Sequence, residues 1–277
     1  MKKINMCTGL PRSGSTVLMN LLQQNPEIFT TATCALPDLL HQHVLIKSRF
    51  REPFQAMDPD QADSAMYHLI HGAAQGWFKG LTDKPIVISK SRSWSNLTHL
   101  FEDSKIIVTV RDLRDVVESF ERIQQNTQAL HTFGDNNILL SAMTDYEKYN
   151  YYFNTSNSLS MPLQTELPRM MELFKKDRSR VLFVRYEDFT KDPNKILAQI
   201  HNLLELGLYQ YDLDNIEQNA VFEHDHAYFR ERTSHQTKRK FQAYSTPNRS
   251  LPKWFQERIL KEYRWFYEGF YPLELER

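Results

Sequence analysis

The sequence is short of several things, and each shortage excludes a class of protein. Only two cysteines, Cys7 and Cys34, occur in 277 residues, too few for a disulfide framework. No metal-ligand spacing surrounds them, so no metal centre is expected, and reducing compartments leave such thiols free. No apolar run approaches the roughly 18 residues that a membrane span requires. The basic start imitates a secretory leader, but its apolar stretch is short and Arg12 interrupts it. A cytoplasmic location is expected. Lysine plus arginine equals aspartate plus glutamate at 34 each, and that balance gives no support to a dedicated nucleic-acid or acidic-membrane binder. No Gly/Ser linker and no internal repeat divides the chain, so residues 1–277 read as one domain. Nothing indicates an oligomeric state.

What is present is an alternation of short apolar runs with longer helical patterns. Residues 4–8, 85–89, 105–110 and 180–185 read as buried strands. Helices are expected from Ser15 to the stop at Asn25-Pro26, over 37–51, 60–81, 93–102, from Asp112 to about Leu130, around 193–206, and over 254–270. Strands separated by helices imply right-handed βαβ units and a three-layer α/β/α fold on a central parallel sheet. Residues 154–160 read as a loop or lid, and 223–252 lack periodicity.

The first strand runs into GLPRSGST at 9–16. A strand, a glycine-bearing loop and a helix start bring backbone N–H groups together on an anion. Gly9 and Gly14 have the spacing of the nucleotide-triphosphate loop G-x-x-x-x-G-K-[ST], and Thr16 stands at its hydroxyl position. The lysine is missing, and Ser15 occupies its slot. That loss weighs against phosphoryl transfer, because this lysine reaches the β- and γ-phosphates. Ser13, Gly14, Ser15 and Thr16 can still cradle one phosphate, and Arg12 offers a planar, permanently charged fork.

These residues carry a resemblance. Pro11 to Thr16 match the pattern P-R-S-G-[ST]-[ST] of the phosphosulfate loop in the sulfotransferase family, and the segment resembles bacterial and phage members related to the tyrosylprotein branch. The resemblance implies a P-loop-like sulfotransferase fold and the donor 3′-phosphoadenosine 5′-phosphosulfate (PAPS), without a metal. The partner would be a hydroxyl-bearing acceptor. VRDLRDVVESF at 110–120 is similar to the family's grip on the donor's 3′-phosphate, which assigns that role to Arg111 and Ser119. Asp112 or Asp115 can cap the helix that follows, while Arg114 and Glu118 read as a solvated salt-bridge face. VISKSRS at 87–93 resembles the strand whose final lysine, here Lys90, approaches the sulfuryl group. VRYEDF at 184–189 resembles a segment that sets Tyr186 near the nucleotide. Among Lys238, Arg239 and Lys240, any could close over the donor. Arg12 and Lys90 are the expected cations at the leaving oxygen.

The general base does not follow the family. Where cytosolic members carry histidine, two residues after the lysine, this chain has Arg92. Where the tyrosylprotein branch carries glutamate, it has Thr33. Asp38, His41, His43, His131, His224 and His226 are the candidates, with Asp38 and His226 foremost. A small-molecule kinase or NTPase on the same fold, and a non-catalytic nucleotide-binding module, are the competing readings.

Overall fold

The computed structural model describes residues 1–49, 51–127, 131–132, 137–138, 142–153, 162–175, 178–218, 238–243 and 249–275. In chain order the elements are β1 (Lys3–Gly9), α1 (Ser15–Leu22), β2 (Ile28–Thr30), α2 (Leu36–Arg49), α3 (Arg51–Gln55), α4 (Pro59–Leu81), β3 (Ile86–Lys90), β4 (Ile106–Val110) and α5 (Leu113–Thr127). There follow β5 (His131–Thr132), β6 (Asn137–Ile138), α6 (Asp145–Phe153), α7 (Pro162–Lys175), β7 (Val181–Arg185), α8 (Tyr186–Lys191), α9 (Pro193–Leu203), α10 (Lys253–Glu262) and α11 (Arg264–Phe270).

Five parallel strands form the central sheet in the order β2-β3-β1-β4-β7. Alternate side chains leave opposite faces of a strand, and here both faces are covered. Ile4, Met6, Ile106, Val108 and Val110 pack into a cluster with α4, α5 and the C-terminal helices. Cys7, Ile86, Ile88, Ile107 and Val184 pack into a second cluster with α1 and α9. This two-sided burial is why the strands read as continuous apolar runs. Each fully buried Ile or Val contributes about 1.5–3 kcal/mol. The register pairs Cys7 with Lys90, Gly9 with Thr109 and Val110 with Arg185, so the C-terminal ends of four strands share one edge. Ligands of open α/β sheets bind at that edge.

Several expectations are corrected. Residues 93–102 do not form an α-helix. They begin with a single 3-10 turn, Arg92–Asn96. Its serines bond to local backbone: Ser91 Oγ accepts from Ser93 N at 3.3 Å and Ser95 Oγ donates to the Arg92 carbonyl at 2.7 Å. Such bonds compete with helix propagation. The C-terminal helix breaks at Tyr263 into α10 and α11. The charged start of α5 is not solvated: Asp112, Arg114, Asp115 and Glu118 are all buried, because residues 249–275 cover them. The expected loop at 154–160 and most of 223–252 lie outside the described residues. No described helix is long and apolar enough to cross a membrane.

Candidate active site

The loop after β1 is held by backbone shape first. Gly9 has φ 124°, and a Cβ there would lie 2.2 Å from the Thr109 carbonyl oxygen. Leu10 N donates to that same oxygen at 2.9 Å, which locks the loop to β4. Arg12 (φ 58°) and Gly14 (φ 79°) are both left-handed. For glycine this conformation is free of strain, whereas for Arg12 it costs on the order of 1–3 kcal/mol. Left-handed residues alternating with ordinary ones curl successive N–H groups into an anion-binding concavity. Buried Ser13 fixes the turn from inside, its hydroxyl 2.5 Å from the Leu10 carbonyl and 2.7 Å from Thr109 Oγ1. Gly14 caps α1, and Ser15 is the first residue of that helix.

Three segments far apart in sequence meet this loop. The Tyr186 ring, at the start of α8, lies against Gly14 so closely that a Cβ on Gly14 would come within 2.5 Å of Tyr186 Cδ2. Arg111, just past β4, stacks its guanidinium on the same ring with Cζ 4.5 Å from the centroid. Arg111 Nη1 donates to the Arg12 carbonyl at 2.9 Å. Arg111 Nε is buried with no hydrogen-bond partner among the described residues. An arginine donor left open in this way suits an anion that brings its own acceptors. Arg12 Nε faces Ser119 Oγ at 3.2 Å, which joins the loop arginine to the second turn of α5. On the other flank, Lys90 Nζ is 3.0 Å from Thr16 Oγ1, and its backbone N–H donates to Thr31 Oγ1 at 2.8 Å. Cys7 beside it is pushed up to about 12 by burial, so that thiol carries no charge at neutral pH.

Beyond Lys90 the chain enters the 3-10 turn, which packs between α2 and α7. Ser93 Oγ donates a short hydrogen bond to Asp38 Oδ1 in the first turn of α2. Asp38 is exposed, and among the described residues its Oδ1 alone takes a hydrogen bond. Glu166 on α7 is buried and accepts from Arg169 Nη1 at 2.9 Å. Burial pushes the Glu166 carboxyl up to about 7, against the pull of Arg169, Arg92 and the Ser95 hydroxyl. Nothing in the sequence singled out Glu166. A lone glutamate on a patternless helix gives no signal until the fold sets it beside arginines.

The other base candidates fare differently. His41 Nδ1 is buried and has no hydrogen-bond partner among the described residues. His43 Nδ1 is spent on the Leu39 carbonyl at 2.7 Å. His131 stands in the short β5 strand. His224 and His226 lie outside the described residues. Lys238, Arg239 and Lys240 are exposed, and Lys240 pairs with Asp214 at 2.9 Å.

Behind Arg111 the start of α5 is an ionic knot. Asp112 caps the helix by accepting from Arg114 N at 2.9 Å, and it also takes the Arg114 guanidinium, Arg249 Nη2 at 3.1 Å and the Tyr267 hydroxyl at 2.9 Å. Burial opposes its ionisation, but Arg114 and Arg249 outweigh that and hold the carboxyl below the usual range. Glu187, one residue after Tyr186, accepts from the Tyr271 hydroxyl at 2.8 Å, and burial raises its pKa. The C-terminal helices thereby brace both Arg111 and Tyr186 through their chain neighbours.

No curated protein sequence matches the chain. The fold is similar to the sulfotransferase domain of the Synechococcus PCC 7002 olefin synthase, at 16% identity and a TM-score of 0.50, over 95% of this chain and 94% of that one. At that identity the likeness establishes the fold alone. Sulfotransferase STF9 from Mycobacterium avium is 14% identical with a TM-score of 0.49, over 95% of this chain and 76% of its own. In sequence, residues 6–210, which include every residue of the loop from Gly9 to Thr16 together with Lys90, Arg111, Ser119 and Tyr186, match the sulfotransferase family, and the chain belongs to that family.

Proposed function

We propose that the chain moves a sulfuryl group from PAPS to a hydroxyl acceptor. One observation carries this reading: segments 9–16, 111–119 and residues 90 and 186 converge on one strand edge, around a loop that has Ser15 where a triphosphate enzyme needs lysine. When bound, the donor supplies a sulfur atom whose bond to a phosphate oxygen breaks as the acceptor oxygen attacks. Ser13 to Thr16 hold the 5′ side of the nucleotide through the helix start. Arg111, Ser119 and Arg12 take the 3′-phosphate, and the open Nε of Arg111 is the donor that fits it. Here Arg12, which faces Ser119, is assigned to nucleotide binding before any role at the leaving oxygen. Tyr186 supports the Arg111 guanidinium from below.

Lys90 stabilises the charge that gathers on the departing phosphate oxygen; one such contact is worth roughly 10²–10³ in rate. Asp38 takes the acceptor's proton. It is preferred to the histidines because Ser93, three residues past Lys90, orients its carboxylate and leaves one oxygen open. A base of this kind adds roughly 10²–10⁴.

Calorimetry tests the donor. Adenosine 3′,5′-bisphosphate is expected to bind equally well with and without EDTA, and more tightly than ATP with Mg²⁺. Tighter ATP binding that depends on Mg²⁺ overturns the reading in favour of a kinase or NTPase.

A further inference from the structure

Arg111 and Tyr186 stand just past the ends of two neighbouring strands, and each is followed at once by a carboxylate, Asp112 and Glu187. One short helix reaches both carboxylates. The Tyr267 hydroxyl in α11 donates to Asp112 Oδ1 at 2.9 Å, and Tyr271, at the end of that helix, donates to Glu187 Oε2 at 2.8 Å. The two tyrosines are one helical turn apart, so they share a face, and both are buried. Their partners follow different strands, and Asp112 N ties those partners together by donating to Glu187 Oε1 at 3.4 Å.

Tyr271 holds Tyr186 from both of its chain neighbours. Arg185, the residue before, lays its guanidinium over the Tyr271 ring with Cζ 4.4 Å from the centroid, and Glu187, the residue after, takes the hydroxyl. Tyr186 in turn carries the Arg111 guanidinium on its own ring. On the other strand, Tyr267 fixes Asp112, and the Arg114 guanidinium stands over the Tyr267 ring at 5.4 Å. Arg111 gains in two ways. Its long side chain is ordered before a ligand arrives, so binding does not have to freeze it. The carboxylate beside its backbone is also engaged, with Glu187 Oε1 on the Asp112 N–H and Oε2 on the Tyr271 hydroxyl. A carboxylate set loose there would compete with a phosphate for the open Nε of Arg111.

We infer that Tyr267 and Tyr271 are positioning residues for the donor's 3′-phosphate. Acting through Asp112 and Glu187 on Arg111 and Tyr186, their hydroxyls set how strongly the protein prefers a nucleotide that carries that phosphate. The inference rests on the sulfotransferase reading above, and it places a determinant of donor choice outside residues 6–210, the stretch that matches the family. Tyr271 should matter more. Asp112 also has Arg114 and Arg249 to hold it, whereas among the described residues the Tyr271 hydroxyl is the one side chain that hydrogen-bonds Glu187.

Calorimetry of Tyr271→Phe and Tyr267→Phe tests this, with adenosine 3′,5′-bisphosphate and adenosine 5′-phosphate titrated into each variant and into the wild type. Each substitution deletes one oxygen, keeps the ring and leaves the charge of the site unchanged. Tyr271→Phe should lower affinity for the bisphosphate about threefold to tenfold, the range of one hydrogen bond, and Tyr267→Phe should lower it by less. Affinity for adenosine 5′-phosphate should stay within about twofold in both. Thermal melts establish that each variant is folded, and if Tyr271→Phe is not, Tyr267→Phe decides in its place. An unchanged ratio of the two affinities in the deciding variant, or equal losses for both nucleotides, overturns the inference, because the hydroxyls then serve the fold alone, and leaves the donor assignment standing. A wild-type protein that binds adenosine 5′-phosphate as tightly as the bisphosphate overturns the donor assignment, and the inference falls with it.

Discussion

Two arginine–carboxylate clusters flank the same strand edge, and they differ in how completely they are bonded. Past β4, Asp112, Arg114, Asp115, Glu118, Arg249 and Glu274 are bonded to one another or to neighbouring hydroxyls, with Arg249 Nε 2.6 Å from Asp115 and Ser250 Oγ 2.7 Å from Glu118. Past β3, Asp38, Arg92, Glu166 and Arg169 form a looser group in which the central cation has no bonded partner among the described residues. A saturated buried cluster has nothing left to offer a ligand. What it does is hold the C-terminal segment against α5 and so set the residue before it, Arg111. A looser group whose arginine is exposed keeps donors available. Charge alone does not distinguish structure from recognition at this edge; the state of the hydrogen bonds does.

The largest effect should come from breaking the saturated cluster. Asp112→Ala leaves Arg114 with Glu274 and Arg249 with Asp115, takes the shared carboxylate from both and removes the α5 cap. Losing one partner of a buried charge network costs about 3–5 kcal/mol. Urea unfolding should record a fall of that size, and a loss below about 1 kcal/mol would mean that Asp112 is not the centre of the knot. Acid should act in the same direction. The Asp112 pKa is depressed by folding, so its contribution is present above the ordinary carboxylate pKa and is lost as pH falls through the lower folded value.

Next in size is the cation at the join between the clusters. Lys90→Ala should lower turnover by roughly 10²–10³ and leave affinity for adenosine 3′,5′-bisphosphate nearly intact, because that product lacks the sulfuryl group. An interaction that grows in the transition state is read in kcat. Near-normal turnover by a folded variant would remove Lys90 from the chemistry. Arg111→Ala follows. It deletes the open Nε and the stack on Tyr186. Affinity for adenosine 3′,5′-bisphosphate should drop about tenfold or more, as expected for a lost hydrogen bond to a charged group. Adenosine 5′-phosphate should be affected much less, and equal losses for both nucleotides would show that Arg111 acts only as a brace.

The two clusters also differ in how far the sequence discloses them. The donor loop is contiguous, so Gly9, Gly14 and the flanking strand and helix are visible as a local pattern. The joins are not. Arg249 meets Asp115 across 134 positions, and no spacing rule reaches that far, which is why Arg114 and Glu118 look like a solvated face. β2 has three residues and no period to detect. In α7, Pro162 and Pro168 obscure the helical pattern that carries Glu166. Residues 93–102 look helical in sequence and are not, because their serines bond to the backbone and a 3-10 turn results. Arg92 was legible only as the residue standing where a histidine belongs.

The last effect, comparable to that of Arg111→Ala, is the most direct measure of the looser cluster. Glu166 is buried, and folding raises its carboxyl from 4.5 to about 7. The folded state then binds more protons than the unfolded state between those values, so the stability tied to Glu166 is complete below pH 4.5 and drains away as pH rises through about 7. From pH 5 to pH 8 the loss should be about 2 kcal/mol. Glu166→Gln keeps a carbonyl for Arg169 and removes the proton. The variant should therefore gain on the wild type as pH rises, and urea titrations at pH 5 and pH 8 should record that change in the difference between the two proteins. Parallel pH profiles would show that Glu166 is ionised throughout, as a fully paired member of a saturated cluster would be. In that case the carboxylates around Arg92 would balance it, and the contrast between the two clusters would lose its physical basis.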